Sequence, residues 1–333
     1  MGEWHAVEAL EESVNRTKEL LLKPFDLTFW LKLAVVVTLA TGLSSNGGNS
    51  MFDFAEDSGG FQPGVLAVAA IAFAVLVFIG LVLMYVSAVF QFVYVKAVVK
   101  KKIELIADFK SYSGEGLQLF LLEIVVYVAM FVSIIVGAIL FAMTTMGSGP
   151  GVLSVFMIIL AIMGLIAMVF AITTIIWVFT EFLVPITYAR GKGIISSGGE
   201  FIKLVKANVW EFVLYTALKF GLGIVAGIVV FMVSIPFFLG IFLTSFMIYL
   251  AILFASGPSI TPAALALIGA VTVGLIAANI VVSFMVIAIT LPIKVFFRYY
   301  GLTFLNRIEP GLDLFKRVKK IKNESKEDTV KVY

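Results

Sequence analysis

Residues 152–190 read VLSVFMIILAIMGLIAMVFAITTIIWVFTEFLVPITYAR, and this stretch decides the class of fold. Glu181 is its only charged residue before Arg190 at the end. A helix needs roughly 20 apolar residues to cross a hydrocarbon core of about 30 Å, so this run is longer than one crossing requires. It predicts an all-α membrane protein in which long helices tilt or extend into the cytoplasm.

The rest of the chain has the same apolar character. Of its 333 residues, 61% are hydrophobic and 14% are charged, whereas roughly 25% of the residues of an average soluble domain are charged. Six helices of about 20 apolar residues use most of this length, so we predict a single membrane domain over residues 1–305. The chain contains no cysteine, which excludes disulfides, thiolate metal sites and a thiol nucleophile.

Apolar runs without sustained polar interruption mark the predicted spans. They lie at about 27–44, 64–99, 115–146, 152–188, 209–254 and 264–300. Each run is long enough to cross the membrane, which predicts a polytopic bundle of six transmembrane helices. The fifth run is long and contains Pro236, which predicts either a kinked helix or a span followed by a short re-entrant piece.

All 24 lysine and arginine residues fall on one side of this scheme. The alternate loops, near 45–63, 147–151 and 255–263, contain none. Positive charges accumulate on the cytoplasmic side of membrane proteins. We therefore predict a multi-pass protein of the cell membrane with both termini in the cytoplasm.

The spans are related in pairs. Trp30, Phe120 and Trp210 recur near the starts of the odd-numbered spans at a period of 90 residues, as expected of an internal repeat. A short amphipathic or basic segment precedes each pair, so we predict three pseudo-repeats of one surface helix and two spans, at about 1–100, 101–191 and 192–305. The first surface helix, over residues 4–22, is predicted to be interfacial. Its apolar stripe comprises Val7, Leu10, Val14 and Leu21.

Aromatic residues cluster near the predicted cytoplasmic ends of the spans. They are Trp30, Tyr94, Tyr188, Trp210, Tyr299 and Tyr300. Tyrosine and tryptophan favour the headgroup region, which predicts an interfacial belt. A stacking site for a ligand is the alternative.

The chain after the sixth span is basic. It breaks near Glu309-Pro310-Gly311, and a basic amphipathic helix is predicted over 306–322, followed by a disordered tail over 323–333. Basic residues near an anionic surface contribute about 1 kcal/mol each. Anionic headgroups on the cytoplasmic face are therefore the predicted partner, and the adjacent span makes nucleic acid the weaker alternative. The predicted contacts are Lys316, Arg317, Lys319 and Lys320.

Few residues are suited to catalysis. His5 is the only histidine, which excludes a histidine-based metal site or a Ser-His-Asp arrangement within one chain. Gly191-Lys192-Gly193 is a turn, because a phosphate loop also needs a glycine at the position of Ile186 and a serine or threonine at that of Gly193. We predict no enzymatic activity, no metal and no cofactor.

Four polar side chains inside the predicted spans are candidate binding residues, because polar groups are costly there. They are Glu123, Glu181, Lys219 and Asn279. The charged ones lie toward the cytoplasmic end, which predicts a partly hydrated vestibule where Lys219 pairs with Glu123 or Glu181. The alternatives are a structural ion pair or side chains that extend to the headgroups. Asn279 is predicted to make a hydrogen bond between helices.

Several short motifs resemble a known group. FLVPITYARG at 182–191, VFFRYY at 295–300 and Lys23-Pro24-Phe25 before Trp30 resemble an uncharacterised prokaryotic group of six-helix integral membrane proteins. That group is similar to the membrane domain of some glycerophosphoryl diester phosphodiesterases. The resemblance covers nearly the whole membrane portion and implies a multi-helix membrane module. It does not imply hydrolysis, because the acidic and histidine residues of a phosphodiesterase domain are absent.

Two classes of function fit these patterns. Scarce intramembrane polar groups and several surface helices favour a non-enzymatic scaffold or lipid-organising module. The repeats, the long spans and the charged trio favour a transporter or channel for a small solute or lipid. The expected partners are membrane lipids together with another membrane protein or a second copy, since Gly223 and Gly227 have the spacing of closely packed helices.

Overall fold

The computed structural model describes residues 5–23, 25–42, 63–145, 152–256 and 262–315, and every regular element there is helical. The α-helices are α1 (His5–Leu22), α2 (Leu27–Val37), α3 (Pro63–Lys100), α4 (Leu105–Ser111), α5 (Ser113–Thr145), α6 (Val152–Val178), α7 (Val184–Arg190), α8 (Ile194–Ala207), α9 (Val209–Ser256) and α10 (Pro262–Ile308). Two π-helical turns, π1 (Thr38–Gly42) and π2 (Phe179–Leu183), follow α2 and α6. A 3-10 turn spans Pro310–Leu312.

Five helical stretches are long and apolar enough to cross a membrane. They are Val77–Lys100, Ser113–Ile139, Val155–Arg190, Val209–Ile252 and Leu267–Ile308, with mean hydropathies between 2.1 and 3.0. The chain is therefore a multi-pass α-helical membrane protein. Leu27–Thr41, where the first span is predicted, is a shorter apolar helix. A crossing at this segment, which would raise the total from five to six, stays a prediction.

The fifth span differs from one of its two predicted forms. α9 is a single helix of 48 residues with Pro236 inside it. A re-entrant piece after a shorter span is therefore wrong. At 1.5 Å per residue α9 measures roughly 72 Å, so it extends well beyond the hydrocarbon core.

Several predicted segments lie wholly or mostly outside the described residues. These are the loops near 45–63, 147–151 and 255–263, the basic residues Lys316, Arg317, Lys319 and Lys320, and the tail over 323–333. The predicted break is within the described part, since α10 ends at Ile308 and a 3-10 turn follows it. No α-helix is assigned over residues 309–315.

The start of α2 is determined locally. Asp26 caps the helix, because its carboxylate accepts hydrogen bonds from the backbone N–H groups of Thr28 at 2.8 Å and Phe29 at 3.2 Å. Phe25 packs against Trp30 with ring centroids 6.2 Å apart. This pair is a hydrophobic staple, which sets the angle at which the chain enters the helix.

The described chain divides into two compact units. The first contains α1, α2, α9 and α10. The second contains α3 to α8, together with Leu39–Gly42 of π1 and the whole of π2. The first unit therefore combines helices from the two ends of the chain, whereas the second contains helices that follow one another in sequence.

In the first unit, α1 packs against the C-terminal part of α10. Its contact face is made of small side chains, since Ala6, Ala9 and Ser13 are fully buried. Small residues allow two helix backbones to approach closely. The buried face differs from the predicted apolar stripe: Leu21 is buried, but Val7 is half exposed.

In the second unit, α3 packs against α5. The two helices approach closely at Gly116, where an added Cβ would lie 2.7 Å from the Cα of Val89. The polar side chains of α3 also have structural partners: Ser87 Oγ and Gln91 Nε2 donate to the carbonyl oxygen of Ala40 at 3.2 and 2.5 Å. They satisfy a carbonyl near the end of a helical segment.

Each unit has its buried core toward one end of its long helices. In α3 the buried residues run from Ala88 to Val99, and in α10 they run from Val286 to Leu305. The predicted aromatic belt is therefore wrong for several members, because Tyr94, Tyr299 and Tyr300 are core residues. Trp210, in contrast, is 83% exposed.

Candidate functional site

The four polar residues predicted inside the spans are divided between the two units. Glu123 lies on α5 and Glu181 in π2, both in the second unit. Lys219 lies on α9 and Asn279 on α10, both in the first unit. Their surroundings differ and are described in turn.

Glu123 is a buried carboxyl group. It lies two helical turns after Gly116, on the side of α5 that approaches Val89 of α3. Glu123 makes no hydrogen bond or ion pair within the part of the chain that the structure describes. A buried charge without a partner costs several kcal/mol, so Glu123 is a candidate binding residue for a cation or a proton.

Glu181 is buried in a π-helical turn. The adjacent Phe182 stacks on Phe201 of α8 at a centroid distance of 5.3 Å and meets Trp177 edge-on at 5.9 Å. π-helical turns are rare and often occur at functional sites. The turn and its aromatic packing hold Glu181 at the junction between α6 and α7, within the stretch Val155–Arg190.

Lys219 rests on an aromatic cluster. Its ammonium group donates to the hydroxyl of Tyr215 at 3.4 Å and lies 5.6 Å from the Tyr215 ring centroid and 5.9 Å from that of Phe297. Tyr215 stacks on Tyr300 at 4.7 Å and on Phe304 at 4.2 Å. Cation–π contacts of this kind stabilise a lysine that is partly removed from water.

Asn279 does not make its predicted hydrogen bond between helices in the described chain. Its side chain is exposed, and its Oδ1 accepts a long 3.5 Å hydrogen bond from Ser283 one turn later in the same helix. Because the four residues are divided between the two units, the predicted vestibule that they would share stays a prediction. Glu123 has no ion pair in the described residues, and pairing of Lys219 with Glu181 stays a prediction.

An ion pair with a buried carboxylate, which the sequence did not reveal, joins α3 to α4. Lys96 Nζ pairs with Asp108 Oδ1, and Asp108 Oδ2 accepts from the backbone N–H of Glu104 at 2.9 Å. Asp108 is only 1% exposed. Burial, and then the Asp108 charge, raise the pKa of the nearby Tyr112 phenol. In the sequence, the only sign of this ion pair is that Asp108 is an acidic residue within a short basic segment.

A second ion pair joins α7 to α8. The guanidinium of Arg190 donates to Glu200 Oε1 from Nε at 2.8 Å and from Nη2 at 2.5 Å. Its Nη1 donates to the carbonyl oxygen of Gly311 at 3.1 Å, and Glu309 lies 3.6 Å from Nη2. Arg190 thus connects three segments at the end of a long helical stretch.

A third set of ion pairs joins α10 to α1. Arg307 pairs with Glu8 and, at 3.1 Å, with Glu12. Glu12 also pairs with Arg16 at 2.7 Å. These residues border a polar cavity of about 510 Å³ in the first unit. Its lining is Glu8, Glu11, Glu12, Asn15, Arg16, Glu19 and Arg307.

An apolar groove of about 540 Å³ lies between α5 and α6 in the second unit. Gly137 and Gly164 are in its lining, and added Cβ atoms there would meet no other atom within 4 Å. The hydroxyl of Ser133, in the described part of its lining, already donates to the carbonyl oxygen of Ala129 at 2.7 Å. The groove therefore suits an apolar occupant.

The described residues contain no group of three or more histidine, cysteine, aspartate or glutamate side chains placed to hold a metal ion. No match was found among curated proteins or among solved structures. The comparisons therefore provide no link to glycerophosphoryl diester phosphodiesterases. A family model does match residues 4–315, which include the helices of both units. The chain belongs to the family of unknown function DUF7544.

Proposed function

We propose that the protein is a non-enzymatic membrane module that scaffolds other membrane proteins or organises lipid. The supporting observation is how little of each span is buried within the chain. In the most apolar stretches of Ser113–Ile139, Val155–Arg190 and Val209–Ile252, 11%, 6% and 0% of the residues are buried. The corresponding shares are 39% for Val77–Lys100 and 22% for Leu267–Ile308.

This exposure favours association over transport. A solute pathway needs helices packed around it and polar groups along it. Helices in lipid associate through close packing, since the hydrophobic effect does not drive them together there. Spans that pack sparsely inside their own chain keep their side chains available for lipid or for a partner.

We expect the full chain to be recovered with a second copy or another membrane protein when native nanodiscs are analysed by mass spectrometry. The absence of cysteine allows a matched cross-linking test. Cysteines placed singly at Phe220, Phe231 or Phe242, exposed on α9, should cross-link to a neighbour. A cysteine at the buried Tyr215 should not.

The scaffold proposal has a clear negative outcome. If the chain is recovered only as a monomer with lipid, and none of the three exposed α9 positions cross-links, partner binding is excluded. A lipid-organising role would then be the part of the proposal that survives. Cross-links to a different protein and cross-links between two copies are distinguished by the mass of the product.

We also infer the threefold pseudo-repeat. In the second and third groups a short helix precedes two long ones, as α4-α5-α6 and α8-α9-α10. In the first group α1, of 18 residues, precedes the shorter α2, of 11 residues, and then the long α3. Each third helix, extended through α7 in the second group, ends near a basic residue that pairs with a short helix. These contacts are Lys96–Asp108, Arg190–Glu200 and Arg307–Glu8. An experimental structure in which the three groups fail to superpose would contradict the repeat.

The cytoplasmic termini and the cell-membrane location are proposed from the charge distribution, and a further crossing at the first predicted span, about 27–44, is proposed from its apolar run. Single cysteines at Lys110 and Lys192, both exposed, should react with an impermeant maleimide only from the cytoplasmic side. Reaction from outside intact cells would reverse the orientation. We also propose that anionic headgroups contact the basic residues after α10, which are Lys316, Arg317, Lys319 and Lys320. The likeness to phosphodiesterase membrane domains is likewise a proposal.

A transporter or channel is the second candidate, and Glu123 favours it, because this carboxyl group has no partner among the residues that the structure describes. In sealed proteoliposomes, the scaffold proposal expects no proton or cation flux above that of empty vesicles. A transporter that uses this carboxyl group would instead show flux that Glu123→Gln lowers at least tenfold. The control is Glu115→Gln, at the start of the same helix, which should leave such a flux unchanged.

A further inference from the structure

The helix α8 has one face that fixes it to the second unit. Ile194, Ser197 and Leu204 are buried on this face. Phe201 stacks on Phe182 with an interplanar angle of 18°, and Glu200 pairs with Arg190. The contacts hold α8 in a defined orientation, so its opposite face is also defined.

The opposite face combines aliphatic and basic side chains. Ile195 is 90% exposed and Ile202 is 53% exposed. Lys203 and Lys206 are exposed beside them, and their spacing places them with the isoleucines on one side of the helix. Across the described residues, neither lysine makes an ion pair, because the acid of this helix, Glu200, is turned toward Arg190.

The place of α8 in the chain points to what covers this face. α8 ends at Ala207, and the span helix α9 begins at Val209. A helix directly before a span lies at the edge of the hydrocarbon core. Exposed aliphatic side chains together with lysines are typical of helices that lie in the headgroup region, where lysine stems extend their ammonium groups toward phosphates.

We propose that this face of α8, formed by Ile195, Ile202, Lys203 and Lys206, binds the headgroups of anionic phospholipids. The isoleucines enter the upper acyl-chain region and the lysines contact the phosphates. The assignment rests on the proposed membrane module, because it requires α9 to be inserted. The other surface helix of this kind, α1, is not expected to bind the same lipids. Its exposed residues include Glu11 and Glu19, which would repel anionic headgroups.

The test uses the full chain in vesicles, with bimane on a single cysteine that replaces Ile195. Quenching by spin-labelled phosphatidylglycerol and by spin-labelled phosphatidylcholine is compared at equal mole fraction. We expect both lipids to quench, with phosphatidylglycerol the more effective. Removing one charge with Lys203→Gln should lower this preference about fivefold, and adding Lys206→Gln should lower it further.

Two control variants separate charge from structure. The pair Lys203→Arg and Lys206→Arg keeps both charges and should keep the preference. Lys18→Gln removes an exposed lysine from α1 and should also leave it unchanged. A fall in either control as large as that of Lys203→Gln would overturn the assignment to this face.

The other outcomes are equally decisive. Equal quenching by the two lipids would show insertion without headgroup recognition, and the absence of quenching would show that the face does not meet lipid. Either result overturns the proposal. Bimane at Phe231, on the exposed side of α9, distinguishes this failure from a failure of the membrane module, because it must be quenched whenever α9 is inserted.

Discussion

Replacing Lys96 with methionine should lower the free energy of unfolding by about 3–5 kcal/mol. The substitution keeps the length of the side chain but leaves the carboxylate of Asp108, 1% exposed, without its cation. Only the N–H of Glu104 would still donate to it, at 2.9 Å. The loss can be measured by denaturant titration of the purified protein in mixed micelles, followed by circular dichroism.

Two matched variants make this prediction specific. Adding Asp108→Asn to Lys96→Met should recover most of the loss, because the amide is neutral and its oxygen can still accept from Glu104. Arg16→Met breaks the more exposed pair with Glu12 and should cost no more than about 1 kcal/mol. Equal losses for Lys96→Met and Arg16→Met would show that burial of the α3–α4 pair does not govern stability.

Replacing Gly116 with alanine should lower the free energy of unfolding by about 1–3 kcal/mol. Alanine is the better helix former, so helix propensity alone would raise stability by about 0.5–1 kcal/mol. Packing outweighs propensity here, because the new Cβ would lie 2.7 Å from the Cα of Val89. A backbone atom cannot move away as a flexible side chain can, so α3 and α5 must separate.

Gly114, two residues earlier in α5, is the control. An added Cβ there meets nothing within 4 Å, so Gly114→Ala should be neutral or slightly stabilising. Val89→Ala in the Gly116→Ala background removes the clash with Cγ2 but leaves the Cα at 2.7 Å and the Cβ at 3.0 Å, and should recover only part of the loss. If Gly114→Ala and Gly116→Ala have equal stability, the close approach of α3 and α5 is wrong.

The candidate site was only partly predictable. Hydropathy identified Glu123, Glu181 and Lys219, because a charged residue inside an apolar run is evident without any structure. Their surroundings were not predictable, since the aromatic wall under Lys219 includes Phe297 from another helix. The pair between Arg307 and Glu8 was also missed, as its members are separated by 299 positions in the sequence.

The sequence determined the helices of this protein and most of their limits, because apolar runs, a capping aspartate and a staple act over a few neighbouring residues. It also predicted the continuous apolar surfaces that lipid or a partner must cover. Only the tertiary structure decided which faces are buried. Gly114 and Gly116 are the same residue type, but only Gly116 lies against α3. Val7 is more apolar than Ala6, but Ala6 is the residue buried where α1 packs against α10. Burial depends on atoms brought together from distant parts of the chain, and no local pattern records that proximity.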